Sequence, residues 1–192
     1  RQTVNDEGSS AKTTTEYWSG NYNLLGQLKN YTQDTFENGE YTDENGVEHT
    51  LNHHSTTIRN GVVSESNSNL DIEYTSTGLI KRYHDVVTST EAPAKTTDII
   101  WTALAYNTSG LLLSTQEEAT YRGTALPNRI DYTVITTKSA MTYYGTGQLK
   151  AYHEGTKRID NINLTKPHEF STKDVTGVGY NSFGQLLGYI ET

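Results

Sequence analysis

Tyr22-Asn-Leu-Leu-Gly26-Gln-Leu28 is a seven-residue stretch that returns four more times along the chain. The other copies read Tyr74-Thr-Ser-Thr-Gly78-Leu-Ile80, Tyr106-Asn-Thr-Ser-Gly110-Leu-Leu112, Tyr143-Tyr-Gly-Thr-Gly147-Gln-Leu149 and Tyr180-Asn-Ser-Phe-Gly184-Gln-Leu186. The shared pattern is Tyr-x-x-x-Gly-x-Leu/Ile. In four copies a second tyrosine follows three positions after the aliphatic residue, at Tyr31, Tyr83, Tyr152 and Tyr189; the third copy has Thr115 there. The starts at 22, 74, 106, 143 and 180 are separated by 52, 32, 37 and 37 residues. Within the long first interval, Tyr41-Thr-Asp-Glu-Asn-Gly46 reads as a degenerate sixth copy with one extra residue.

Turn chemistry accounts for the pattern. Asn at the first turn position with Gly three residues later suits a type I turn in which the Asn side chain caps its own backbone. Gly in the left-handed region then supplies the bulge that closes a three-residue hairpin loop. On that geometry the Tyr before the turn faces the Leu or Ile after the glycine, a cross-strand pair worth about 0.2–1 kcal/mol. Each copy is thus expected to be a hairpin tip with its first stabilising pair attached.

Working outward, the segments between tips are strand-like: Lys12–Trp18, Leu70–Tyr74, Thr97–Tyr106 and Arg129–Thr137 combine β-branched and aromatic residues with partial alternation. Looser loops, Glu91–Lys95, Arg122–Asn128 and Asp160–Pro167, lie between tips. The expectation is an all-β chain of antiparallel hairpin repeats forming a long meander, whether sandwich, open ribbon or solenoid. Residues 1–12 read as a polar N-terminal arm and 13–192 as the repeat domain.

Composition fits this reading. Leu, Ile, Val and Phe number 37 of 192, about 19%, close to the level at which disorder competes with folding. Against disorder stand 14 Tyr and 31 Thr, both strand formers. Stability is therefore expected to be spread over many hairpins rather than held in one aliphatic core.

The residues also narrow function. Zero Cys excludes disulfides, thiolate metal sites and cysteine nucleophiles. The longest apolar runs, such as Leu111–Leu113, are far too short to span a bilayer, so no membrane insertion is expected. A net charge of −8 with scattered basic residues argues against nucleic-acid binding. No nucleophile elbow, phosphate loop or dinucleotide fingerprint is present, and Glu117 and Glu118 are neighbours that a strand turns to opposite faces. His49, His53 and His54 lack a third ligand placed by spacing and read as a surface strand; Asp43–Gly46 reads as a turn rather than a calcium loop. No enzymatic activity, cofactor or metal is expected. Tyr17 and Trp18, with Tyr22 and Tyr31, are candidates for stacking on sugar rings, weighed against an aromatic cluster that steadies the first hairpin.

The motif resembles the tyrosine–aspartate (YD) repeats of bacterial Rhs-type proteins, toxin shells and related cell-surface proteins. Tyr22, Gly26 and Leu28, and their equivalents, match the Tyr, Gly and Leu of that family's Tyr-Asp-x-x-Gly-Arg-Leu. Asn23, Asn107 and Asn181 stand where the family has Asp, and Gln or Leu replaces its Arg. The resemblance implies long hairpin ribbons that build shells, stalks or fibres, with no catalytic residue in the repeat.

The expected role is a structural repeat protein of the cell surface or extracellular space that assembles with copies of itself into a fibre, sheath or shell. Its strand edges and N-terminal arm are the expected points of end-to-end joining. The alternatives are an adhesin-type module for cell-surface glycans or a fragment of a toxin-enclosing shell. The start at Arg1 suggests a processed chain or a piece of a longer one.

Overall fold

The structure, a computed structural model, describes residues 2–7, 10–42, 44–62, 70–124 and 129–192. It is all-β, and its strands form one open sheet rather than a closed barrel or a two-layer sandwich. In chain order the strands are β1 (Gln2–Glu7), β2 (Ser10–Tyr22), β3 (Leu28–Thr42), β4 (Glu48–Asn60), β5 (Glu73–Tyr74) and β6 (Ile80–Ser89). They continue with β7 (Lys95–Tyr106), β8 (Leu112–Gly123), β9 (Ile130–Tyr143), β10 (Leu149–Asp160), β11 (Glu169–Tyr180) and β12 (Leu186–Glu191). Spatial order follows chain order, β1-β2-β3-β4-β6-β7-β8-β9-β10-β11-β12, with β5 paired to β6. Every pairing is antiparallel, as short hairpin connections require.

All five tips lie at one end of the strands, and each pairs the residues expected: Tyr22 with Leu28, Tyr74 with Ile80, Tyr106 with Leu112, Tyr143 with Leu149 and Tyr180 with Leu186. The five glycines have φ between 76° and 85°, the left-handed region that closes the loop. Asn23, Asn107 and Asn181 cap their turns as the sequence implies. Asn23 Oδ1 accepts from the backbone N–H of Leu25 and Gln27, both at 2.9 Å, and Asn107 and Asn181 repeat the arrangement. Thr75 takes over with its hydroxyl, which accepts from Leu79 N–H at 3.1 Å.

Two features depart from the sequence reading. The Tyr41–Gly46 stretch does hold a turn, with Gly46 at φ 80°, but this turn joins β3 to β4 at the end opposite the tips, so it is no sixth copy. The segment from Leu70 is strand only at Glu73–Tyr74. Leu70, at φ 55°, turns the backbone, and its carbonyl accepts from Gly61 N–H at 2.8 Å to close an excursion between β4 and β5. Ile72 N–H then rejoins the sheet on Lys29 O at 2.7 Å. The excursion explains the 52-residue first interval. Of the loops expected opposite the tips, 125–128 lie outside the described residues. Residues 2–7 of the arm form β1, paired to β2 from Gln2–Thr15 to Glu7–Ser10.

One layer leaves little to bury. Among the described residues the buried apolar set is Ile72, Ala119, Met141, Val175 and Val178. The accessible surface, 12,660 Å², compares with about 9,100 Å² for a compact monomer of 21.4 kDa. Cross-strand side-chain ladders on both faces supply what a thick core would. On one face Arg59 lies over the rings of Tyr83 at 3.6 Å and Tyr31 at 5.2 Å, and grips Asp85 through two hydrogen bonds of 2.7 and 2.6 Å. Tyr83 stacks in turn on Trp101 at 5.2 Å. Farther along, Tyr121 stacks on Tyr132 at 4.8 Å, and Arg158 lies 4.2 Å over Tyr132. The opposite face carries Phe36 stacked on His54 at 4.2 Å, with Tyr17 edge-on to Phe36.

Candidate functional site

The repeated tips are coupled to one another by two contacts that recur from copy to copy. The first uses the tyrosine hydroxyl. Tyr74 donates to the carbonyl of Leu28 at 2.8 Å, Tyr106 to that of Ile80 at 2.6 Å and Tyr143 to that of Leu112 at 2.5 Å. Each acceptor is the aliphatic residue of the preceding copy. Burial raises the pKa of all three phenols above 10.0, which keeps them protonated as donors. At the last junction the neighbouring Tyr144 bridges instead, donating to Val178 O at 3.0 Å.

The second contact involves the residue after the glycine, a position left open in the motif. A Cβ built on Gly78 would lie 3.4 Å from Gln27 Nε2, and one on Gly184 would lie 3.4 Å from Gln148 Nε2. A Cβ built on Gly110 would lie 3.6 Å from Leu79, and one on Gly147 would lie 4.0 Å from Leu111. The glycine therefore serves its own loop by its φ, and a long side chain of the previous copy lies beside it. Sequence inspection shows Gln, Leu, Leu, Gln and Gln at this position; long side chains there were the available signal.

A third regularity concerns register. In every hairpin one extra residue follows the aliphatic position, at Lys29, Lys81, Leu113, Lys150 and Leu187. Three later hairpins carry a further extra residue on the strand leading to the tip, between Ala103 and Ala105, Ser139 and Thr142, and Thr176 and Gly179. Ala140 at φ 52° and Gly177 at φ 62° mark two of these bulges. Counted by partner rather than by sequence, Trp18, Trp101, Lys138 and Val175 are equivalent, each opposite the fifth residue past its hairpin's aliphatic position.

The aromatic candidates separate. Tyr17 and Trp18 are neighbours on β2 and point to opposite faces, so Tyr17 joins Phe36 while Trp18 lies 6.3 Å from Tyr22 and 5.9 Å from Tyr31. The Trp18 ring folds over Gly20, where a Cβ would come within 2.6 Å of it, so a larger residue there would displace the ring. Trp18, Tyr22 and Tyr31 form a tilted cluster rather than one flat surface. Of the histidines, His53 bonds Ser89 Oγ at 2.7 Å and Glu37 at 3.3 Å, while His54 faces Asp34 at 3.1 Å from the other side of the sheet. Hydrogen bonds from Thr56 and His54 hold the Asp34 carboxyl below its ordinary pKa. Among the described residues no group of three or more His, Asp or Glu is placed to hold a metal ion, and no helix is long and apolar enough to cross a membrane.

The features left over from these couplings lie at the sheet's two margins. β1 covers β2 only over Ser10–Thr15, and among the described residues no strand pairs with the outer side of Tyr17–Tyr22. At the far margin the outer side of β12 is likewise open. No family model, no curated protein and no solved structure matches the chain.

Proposed function

We propose that this chain is a non-enzymatic structural protein of the cell surface or extracellular space, a segment of β-hairpin repeats that builds an extended assembly such as a fibre, sheath or shell. The observation that carries the reading is the single open sheet, which exposes about 3,500 Å² more surface than a compact monomer of its mass and ends in two open strand edges. Open edges pair readily with further strands. A repeat array also gains stability with each neighbour added, since every unit is held by the next. YD-repeat architecture is the family reading consistent with the tips.

The adhesin reading draws on the exposed aromatics of β2. The opposed directions of Tyr17 and Trp18, and the tilt within the Trp18 cluster, weigh against a common sugar platform. Light scattering and electron microscopy across a concentration series test the proposal. Mass that grows with concentration, with elongated particles, supports it. Discrete monomers at the highest concentration, together with glycan binding lost in Trp18→Ala, would replace it with the adhesin reading.

A further inference from the structure

The margins of the sheet match each other in the same terms that the internal junctions use. Three internal junctions share one register: the third residue past the aliphatic position faces the Trp18-equivalent of the next hairpin. The pairs are Tyr83 with Trp101, Thr115 with Lys138, and Tyr152 with Val175. Applied beyond β12, the rule pairs Tyr189 with the residue equivalent to Trp101 on an incoming strand. That residue exists on the open edge of β2, and it is Trp18.

We propose that copies of this chain join head to tail through one antiparallel junction, Gly188–Glu191 of one copy against Glu16–Ser19 of the next, with Tyr189 stacked on Trp18. This inference rests on the assembly reading above and names its interface. The polarity is right: β2 runs toward its tip and β12 away from its own, so the meander continues with all tips at one end. Both coupling contacts also have their missing halves at the margins. Tyr22 carries the hydroxyl that its equivalents give to the preceding aliphatic carbonyl, and Leu186 offers that carbonyl. Gly26 has nothing within 4 Å of a built Cβ, whereas Gly78, Gly110, Gly147 and Gly184 all meet the preceding copy, and Gln185 is the side chain to cover it. Exposure follows the same division: Trp18, Tyr22, Leu186 and Tyr189 are exposed by 49, 56, 56 and 51%, while Tyr83, Trp101 and Tyr106 are half-buried.

Length matches as well. β12 spans six residues and β1 six, and each fills half of a column. In the proposed register β12 stops just above the point where β1 of the next copy begins its pairing at Gln2–Thr15. Together they make twelve residues, the length of β8 or β10. A second copy presents this stepped edge; Thr192 and Gln2 of the next copy meet beside Thr15, so the junction requires Thr192 to leave its two hydrogen bonds with Asp174.

The absence of cysteine makes the register directly testable. The proposed junction sets Gly188 opposite Ser19 of the next copy, at the Cα spacing of about 4.5–5.5 Å that a disulfide accepts. Ser19 is exposed, and a Cβ on Gly188 meets nothing within 4 Å, so both cysteines fit the fold. Ser19→Cys mixed with Gly188→Cys under mild oxidation is expected to give a covalent heterodimer as the main product. Pairing Ser19→Cys with Tyr189→Cys or Glu191→Cys, whose side chains project to the other face, is expected to give little. Equal yields in all three mixtures would overturn the register. If light scattering shows growth in mass but Gly188→Cys does not cross-link, this junction is wrong and the assembly reading stands; if the mass stays monomeric, both fall. Tyr189→Ser supplies a second arm: the monomer's circular dichroism is unchanged, and the concentration at which assembly sets in rises about three- to tenfold. No rise would count against the stacked pair.

Discussion

The middle of the sheet and its margins are built on one repeat, yet they hold their aromatic residues differently. At the β6–β7 junction Tyr83 and Trp101 stack at 5.2 Å, and Arg59 closes the stack from the other side while bonding Asp85, which is only 7% exposed. At the margins the equivalent residues, Tyr189 and Trp18, are about half exposed. The same side chain is thus a structural element where a neighbouring repeat covers it and an exposed aromatic where none does. On the proposed junction, the residues that join copies are the same motif positions that join repeats within the sheet.

The largest effect expected from breaking this contrast is in the middle. Arg59→Ala leaves the buried Asp85 carboxylate without its partner and removes the filling between Tyr31 and Tyr83. A loss of about 3–5 kcal/mol is expected in urea unfolding of the dilute protein. Since a stability of roughly 5–15 kcal/mol is ordinary for a domain, much of the fold depends on this one cluster. A loss below about 1 kcal/mol would mean that the ladder adds little.

Next in size is the comparison of the two tryptophans. Trp101→Ala is expected to cost about 2 kcal/mol in the monomer, where the ring stacks on Tyr83. Trp18→Ala is expected to cost less than half as much under dilute conditions and to act on assembly instead. Equal losses in dilute protein would erase the distinction between interior and margin.

The smallest effect concerns the tyrosine hydroxyls. Tyr106→Phe removes the donor to Ile80 O and is expected to cost about 1 kcal/mol, whereas Tyr22→Phe, which lies on an edge that no described strand covers, is expected to stay within about 0.5 kcal/mol. The pH dependence follows from the same groups. Burial raises the pKa of Tyr74, Tyr106 and Tyr143 above the ordinary 10.0, so the folded state holds these protons more tightly than the unfolded state. Their contribution is therefore complete below pH 10 and is lost as pH rises past that value and through the folded pKa. Thermal melts between pH 8 and 11.5 are expected to be flat and then to fall, with a shallower fall in Tyr106→Phe.

The parts of this architecture that were legible in the sequence are the local ones. Tyr-x-x-x-Gly-x-Leu specifies a turn, a bulge and a pair within seven residues, and all five tips follow it. The central ladder was not legible, because Arg59 and Asp85 lie 26 positions apart and no local pattern joins them. Turn chemistry also does not say which end of a strand it serves, which is why the Asn45–Gly46 turn looked like another tip. Nor does sequence spacing reveal bulges: Trp18 and Trp101 stand four and five residues before their tyrosines, and only their strand partners show that they are equivalent. The candidate surface was half legible for that reason. Trp18 stood out as an aromatic, while its match with Tyr189 depends on a register that only the paired strands display.

Electron cryo-microscopy of the concentrated protein tests the central claim most directly. The sheet has eleven strand positions, and a junction in which β12 and the next β1 share a column adds ten per copy. At a strand spacing of about 4.8 Å, the predicted assembly repeats every ~48 Å along the sheet, with β2 covered on its outer side by β1 and, up to Ser19, by β12 of the neighbouring copy. Particles that remain single sheets with the Tyr17–Ser19 edge uncovered, or a polymer in which that edge faces solvent, would contradict it.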